Sequence, residues 1–159
     1  MPSLILSTCG TSLLTNGGIS DDLRRLLNKH ANSRDWSVMP ADESHTLQQH
    51  ANNRQQSLLA ADEQQVRRLS AELNGLLSWQ KQPSTPASTQ DMYLLLATDT
   101  ALGQATAQSV CAWLQQQGCS ATIISATGLN TASLSSFRQA LSGLVKDLHE
   151  QLSNYKTSG

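Results

Sequence analysis

The amino-acid sequence predicts an α/β protein built on a parallel, or mostly parallel, sheet flanked by helices. Three short runs have the length of buried strands: Leu4–Leu6 and Met92–Ala97 are continuously apolar, and Ala121–Ile124 is rich in β-branched residues. The segments that separate and follow these runs carry apolar residues near helical spacing. Buried strands that alternate with helices are the pattern of a parallel sheet.

The N-terminal segment predicts a strand, a loop and a helix in that order. The strand Leu4–Leu6 passes into Ser7–Ser12, a stretch of small hydroxyl residues around one glycine that we interpret as a loop. Farther on, Ser20 is a favourable N-cap, because Asp21 and Asp22 follow it where carboxylates stabilise the first turn of a helix.

The central region is harder to interpret. Residues 31–56 give no clear pattern, although Pro40 is expected to begin a helical stretch. Apolar spacing then predicts one helix from Leu58 to Trp79. Residues 81–90 have the Pro-, Ser- and Thr-rich composition of a loop. Because each side of that loop would be small for a domain, we interpret residues 1–159 as a single domain.

The second half predicts two strand–helix units. The loop Thr98–Thr100 follows the second apolar run, and the next helix ends near Gln117, with Gly118 as a left-handed cap. A loop at residues 127–130 follows the third run. The final helix is expected from about Ser135 and carries a regular apolar stripe.

Composition excludes several classes of protein. The 11 Lys and Arg residues are balanced by 12 Asp and Glu, which leaves no diffuse basic surface for long nucleic acids. Three cysteines without paired spacing indicate neither a disulfide framework nor a zinc site. The first residues lack the basic stretch and long apolar run of a secretory signal or a membrane span. We therefore expect a cytoplasmic protein with no membrane partner.

Two loops have the residue types of a ligand site. Thr8–Ser12 follows the first strand, and Thr98–Gly103 follows the second. Ligands of open α/β sheets bind beyond the carboxyl ends of the strands, where free amides and hydroxyls can donate to phosphate or ribose oxygens. The alternative is that these are ordinary loop residues and that Asp99 only caps a helix. The residues by themselves leave both interpretations open.

A metal centre and a nucleophilic cysteine are not indicated. His30, His45, His50 and His149 show no clustering of metal ligands along the sequence. Cys9 lies in the first loop without a neighbouring histidine in the sequence, so we expect it to pack rather than to react. No cofactor is predicted.

Four segments, in order along the chain, resemble the CARF proteins of the CRISPR ring nuclease family. They are Ile5–Asn16, Ser70–Leu76, Leu96–Thr100 with Gly103, and Gly128–Leu129 followed by Phe137 and the helix Ala140–Leu148. The resemblance spans most of the chain apart from residues 31–56. The first segment is the most specific, and the others support it because they occur in the expected order.

The resemblance implies a Rossmann-like CARF domain. Such domains form homodimers and bind one ring of four or six adenylates, a second messenger of type III CRISPR antiviral defence, across the two-fold axis. A ring with two-fold symmetry matches a dimer with two equivalent pockets. The ligand contacts implied for this chain are Thr8, Cys9, Gly10, Asn16, Thr98, Asp99, Thr100, Gly103, Gly128 and Leu129.

Some CARF domains also cleave the ring without a metal, through attack of a ribose 2′-hydroxyl on the adjacent phosphate. Thr11 and Ser12 are the residues we expect to orient that reaction. The family usually continues into a further strand and a Gly-Gly-Phe-Lys-type loop, and this sequence lacks them. Three hypotheses therefore stay open: a ring nuclease, a pure sensor domain of a larger effector such as an RNase or transcription regulator, and an unrelated small α/β domain.

Overall fold

The computed structural model describes residues 4–79, 91–129 and 133–158. In these ranges three parallel strands form an open sheet of order β1-β2-β3, with helices on both faces. The strands are β1 (Leu4–Cys9), β2 (Met92–Thr98) and β3 (Ser120–Ala126). This is a Rossmann-like α/β arrangement, so the predicted fold class is confirmed. The loop predicted at residues 81–90 lies outside the described residues.

Seven α-helices and one 3-10 turn are found in the described ranges. They are α1 (Ser12–Thr15), α2 (Asp21–Lys29), the 3-10 turn (Trp36–Val38), α3 (Ala41–Leu59), α4 (Glu63–Leu69), α5 (Ala71–Trp79), α6 (Ala101–Gln116) and α7 (Leu134–Ser158). None of these helices is both long and apolar enough to cross a membrane.

Several predicted helix ends are confirmed. The Ser20 hydroxyl accepts a hydrogen bond from the amide of Leu23 at 3.2 Å and caps α2. Helix α3 begins directly after Pro40. Gly118 follows α6 with a φ of 83°, a left-handed conformation that glycine adopts without steric strain.

The predicted boundary between the first strand and its loop is wrong. The loop expected at Ser7–Ser12 begins only after Cys9, because Ser7, Thr8 and Cys9 continue β1 and pair with β2. Small hydroxyl residues favour loops by local propensity, but pairing with a central strand overrides that preference here.

The single helix expected from Leu58 to Trp79 is three helices. Helix α3 ends at Leu59, and Asp62 and Gln65 then form a reciprocal capping box that starts α4. The next break is at Ser70, whose hydroxyl accepts from the amide of Leu73 at the start of α5. Apolar spacing runs on through both breaks, so periodicity alone does not detect them.

The main core lies between one face of the sheet and helices α5 and α6. Tyr93 and Leu95 of β2 are fully buried there, together with Leu73 of α5 and Val110 of α6. Burial of each leucine-sized side chain contributes about 1.5–3 kcal/mol relative to exposure. Beyond this layer, α3 and α6 enclose a second apolar cluster that contains Leu47 and Leu102. Helix α3, which arises from the region without a clear sequence pattern, is thus a structural part of the fold.

The opposite face of the sheet is covered by α7. Leu144 of α7 is buried against Leu94 and Ile124, which project from β2 and β3. Next to this contact, α7 exposes a row of apolar residues, which we call the α7 stripe: Leu134, Leu141, Val145 and Leu152. Leu6 of β1, on the same face of the sheet as Leu94, is 53% exposed.

Candidate functional site

The carboxyl ends of the strands lie level with one another. Cys9 pairs with Ala97, and Thr98 pairs with Ala126. The two loops singled out in the sequence therefore leave the sheet at the same edge, beside the loop after β3. The structure places the loop after β1 near the loops after β2 and β3, although these loops are far apart in the chain.

A glutamate holds the first loop. The carboxylate of Glu72 accepts hydrogen bonds from the Gly10 amide at 2.9 Å, the Ser12 hydroxyl at 2.7 Å and the Ser70 hydroxyl at 2.9 Å. The Ser12 hydroxyl also accepts from the amide of Ala71 at 3.1 Å. We call Glu72 with these three donors the glutamate clamp. It joins the end of β1 to the start of α5.

The clamp changes what Ser12 can do. The Ser12 hydroxyl donates its proton to Glu72 and accepts a hydrogen bond from the Ala71 amide. It therefore has no proton left to donate to a ligand. The side chain of Thr11 is half-buried and forms no hydrogen bond within the described ranges. Of the two residues expected to orient a reaction, only Thr11 keeps a free donor.

The second loop is held by two threonines. The Thr100 hydroxyl accepts from the Gly103 amide at 3.1 Å and caps α6, and it lies 3.0 Å from the Thr98 hydroxyl. Thr100 and Gly103 are buried, whereas Thr98 is exposed. Thr98 is therefore the one of these three residues whose side chain can reach a ligand.

Asp99 joins the second loop to the third. Its Oδ2 accepts a hydrogen bond from the amide of Gly128 at 3.0 Å. Gly128 has a φ of 75°, so glycine suits this turn, and Leu129 beside it packs against the cluster under α7. The alternative that Asp99 caps α6 is wrong, because Thr100 occupies the N-cap.

Cys9 faces away from the site. Its side chain is 4% exposed and belongs to the main core. Burial, with smaller effects from the nearby Glu72 and Cys111, raises the pKa of Cys9 to about 12. A thiol with such a pKa is protonated at neutral pH and is not a nucleophile. Only the backbone of Cys9 is left for contact with a ligand.

The accessible polar groups at this edge are therefore few. Thr8 is exposed, Thr11 and Asn16 are half-buried, and their side chains form no hydrogen bond to any described residue. Together with Thr98 they present hydroxyl and amide groups suited to phosphate and ribose oxygens. None of these four side chains carries a charge.

Sequence reasoning missed two residues that build the site. Glu72 lies within the segment Ser70–Leu76, but the resemblance assigns it no role. A carboxylate two residues after Ser70, a serine that can cap a helix, is the sequence feature that could have indicated it. Gln104 donates its amide to the Thr98 carbonyl at 2.7 Å and to the Ser125 hydroxyl at 3.1 Å, which fixes the ends of β2 and β3. No sequence pattern distinguishes Gln104 from the other glutamines of α6.

Two histidines, His30 and His50, form hydrogen bonds within the fold. His30 contacts Glu43 through Nε2 at 2.5 Å, and His50 contacts the carbonyl of Leu14 at 2.8 Å. Lys29 and His30 donate hydrogen bonds that lower the pKa of Glu43. Across residues 4–79, 91–129 and 133–158, no group of three or more potential metal ligands occurs.

The chain matches a known protein family. The sequence model described as CRISPR-associated protein (Cas_APE2256) matches residues 67–159, which is more than half of the chain. The matched region contains Glu72, the Thr98–Gly103 loop and the Asp99–Gly128 contact. The loop after β1 precedes it. Among curated proteins, none matches the chain.

Proposed function

The chain belongs to the CRISPR-associated protein (Cas_APE2256) family, and from that premise we propose that it is a CARF domain that binds cyclic tetra- or hexa-adenylate. The ligand would lie across a homodimer at the carboxyl edge of the sheet. The resemblance of Ile5–Asn16 to CARF proteins supports this proposal, and it covers a part of the chain that the family match does not include.

The observation that carries the proposal is a set of polar side chains that a ligand can reach. Those of Thr8, Thr11 and Asn16 form no hydrogen bond to a described residue, and Thr98, whose hydroxyl lies 3.0 Å from that of Thr100, is exposed at the same edge of the sheet as Thr8. Uncharged donors suit a cyclic oligonucleotide, because they bind phosphate and ribose without the attraction for long nucleic acids that a basic surface would bring.

The geometry favours binding over cleavage. Cleavage requires donors that align the 2′-hydroxyl and stabilise the charge that develops on the phosphate. Ser12 donates to Glu72 instead, and a carboxylate beside a phosphate opposes that stabilisation. A sensor that passes the signal to an effector is therefore the function that the site supports best. Thr11 is the residue on which a ring nuclease activity would depend.

A second copy of the chain is the proposed partner. A ring with two-fold symmetry requires two equivalent sites, and an isologous dimer provides them. The α7 stripe supplies exposed apolar surface on the sheet face opposite the main core. Its helix also exposes charges of both signs, such as Lys146 and Asp147, so two copies can approach without strong net repulsion.

The test is incubation of the purified chain with cyclic tetra-adenylate and cyclic hexa-adenylate in EDTA. Binding is followed by calorimetry, and products are separated by chromatography. We expect one ring to bind and to remain intact. Linear products that end in a 2′,3′-cyclic phosphate would instead identify a metal-independent ring nuclease.

Variants locate the binding. Thr8→Ala with Thr11→Ala removes two free hydroxyls, and loss of two hydrogen bonds to a charged ligand should weaken binding by at least about tenfold. Thr46→Ala removes a threonine hydroxyl from the exposed surface of α3. It is the control and should bind the ring as the wild type does. Equal affinity in all three proteins would remove the loop after β1 from the site. Failure of both rings to bind would refute the proposal itself.

A further inference from the structure

A polar groove lies between α3, α6 and the segment Arg34–Trp36. Its volume is about 350 Å³. Residues of α3 such as Gln48 and Asn52 form one side, and Gln108 of α6 forms part of the other. Ala101 is the one lining residue that falls within the Thr98–Gly103 loop, and none of the lining residues is among the ligand contacts that the resemblance implies.

The groove adjoins the candidate site. The amide of Ala101, directly after the Thr100 cap, donates to the carbonyl of Ser33 at 2.9 Å, which places Arg34 next to the second loop. Gln104 lines the groove and also donates to the Thr98 carbonyl. A ligand at the sheet edge can therefore extend into the groove.

Some of the polar side chains in the groove are already in use. Gln48 donates to the Ser44 hydroxyl, Gln55 accepts from Ser109, and Asp35 accepts from the amide of Ser37. These bonds fix the walls of the groove and reduce the number of groups available to a ligand.

Three lining side chains remain unused. Arg34, Asn52 and Gln108 are exposed and form neither a hydrogen bond nor an ion pair with any described residue. Arg34 presents a positive charge, and the amides of Asn52 and Gln108 can each donate and accept. Asp35, which also lines the groove, carries a negative charge that is occupied by hydrogen bonds from the amide and hydroxyl of Ser37. This set matches a ligand with a negative group and a flat edge of donors and acceptors.

Trp36 adds an aromatic surface. It is half-buried, packs against the cluster of Leu47 and Leu102, and lines the groove. A ring that is anchored on one side and accessible on the other can stack against a planar base.

We propose that this groove binds one adenosine phosphate unit, with the amides of Asn52 and Gln108 on the adenine edge, Trp36 against its face and Arg34 at a phosphate. Side-chain amides pair with the adjacent donor and acceptor of adenine, and guanidinium binds phosphate oxygens. The unit can come from a cyclic oligoadenylate or from a free mononucleotide. The first source rests on the proposed function, whereas the second does not.

The experiment measures binding of adenosine 5′-monophosphate, purine riboside 5′-monophosphate and both adenylate rings by calorimetry. Purine riboside keeps the purine ring and the phosphate but lacks the 6-amino donor of adenine. We expect the adenosine nucleotide and one ring to bind, and the purine riboside nucleotide to bind at least about tenfold more weakly, the size expected for loss of an amide–adenine pair. Equal binding of the two mononucleotides would overturn the assignment of the amides to adenine.

Two matched pairs of variants test the groove. Asn52→Ala with Gln108→Ala should weaken adenosine nucleotide binding about tenfold or more, whereas Asn53→Ala with Gln115→Ala, on the same helices outside the groove, should not. Arg34→Ala should weaken binding, and exposed Arg24→Ala on α2 should not. All four replace exposed side chains, so thermal unfolding should stay close to that of the wild type.

The outcomes separate the groove from the proposed function. If a ring binds the wild type and the groove variants equally, and the groove variants do not weaken mononucleotide binding either, the groove is not a ligand site and the proposed function stands. If the mononucleotide binds through the groove and neither ring binds, the groove assignment stands and the proposed function fails. If no nucleotide binds the wild-type chain, both are overturned.

Discussion

Gly103 occupies a position that no larger residue fits without movement. A Cβ atom added there would lie 2.1 Å from Oγ1 of Thr98 and 2.8 Å from Oγ1 of Thr100. The resemblance to CARF proteins implies Gly103 as a ligand contact, and that role remains a prediction. The structure gives the glycine a separate reason, since its small size lets Thr98 and Thr100 pack over the first turn of α6.

We therefore expect Gly103→Ala to destabilise the protein by about 1–3 kcal/mol, the usual cost of an overpacked site. Gly143→Ala is the control, because a Cβ at Gly143 in α7 meets nothing within 4 Å. Alanine there should be neutral or stabilise by up to about 1 kcal/mol through helix propensity. Urea unfolding measures both variants, and equal stability of the two would contradict the packing argument.

At the scale of elements, the glutamate clamp joins two segments that the sequence separates by sixty positions. The loop after β1 and the first turn of α5 are connected through the carboxylate of Glu72. The hydroxyls of Ser12 and Ser70 donate to the same carboxylate oxygen, Oε2 of Glu72.

We predict that Glu72→Ala destabilises the protein by about 2–3 kcal/mol, because Gly10, Ser12 and Ser70 all lose a charged acceptor. Glu150→Ala on the exposed surface of α7 should change stability by less than about 0.5 kcal/mol. Denaturant unfolding provides the comparison, and indistinguishable midpoints would show that the clamp adds no stability.

A double-mutant cycle tests the pairing directly. Ser12→Ala and Glu72→Ala remove the same hydrogen bond, so the double variant should cost less than the sum of the two single variants, by about 0.5–3 kcal/mol. Strict additivity would mean that the two residues do not act on one another.

The elements themselves were predictable to different degrees. Continuous apolar runs such as Met92–Ala97 predict buried strands because burial on both faces leaves a direct mark on the sequence. The breaks at Ala60 and Ser70 were missed, although Asp62 and Gln65 have the spacing of a capping box. Helix α3 has a weak apolar pattern because it buries only a few of its residues, among them Leu47 and Leu58.

At the scale of the whole molecule, α7 shields β2 and β3 and exposes a row of its own apolar residues. Leu134, Leu141, Val145 and Leu152 are spaced by seven, four and seven positions, which places them on one side of a helix. Exposed apolar rows of this kind are typical of interaction surfaces. In the proposed dimer, a second copy of the chain covers this row.

We expect the wild-type chain to sediment as a dimer at micromolar concentration and Val145→Glu to sediment as a monomer, because a charge in an apolar interface is desolvated without a partner. Gln139→Glu adds the same charge on the exposed side of α7 that lies away from the stripe, and should remain dimeric. A dimer in all three proteins would place the interface elsewhere, and a monomeric wild type would contradict the two-fold pocket.

The candidate site was predictable in position but not in detail. The carboxyl edge of a parallel sheet is a general location for ligands, so two hydroxyl-rich loops after strands were sufficient to propose it. The individual tasks of Ser12 and Asp99 depend on neighbours that are distant in sequence, Glu72 and Gly128 respectively. The groove beside α3 escaped prediction because amide side chains carry no periodic signal.

The glutamate clamp also constrains how this protein can be recombined. Ser12 lies before the region shared with its family, and Glu72 lies inside it. A chimera that takes its first sixty residues from one parent and the remainder from another therefore inherits the serine and its acceptor separately. Such hybrids should fold well only when both parents supply a compatible pair, so the useful crossover points lie before Ser12 or after Glu72.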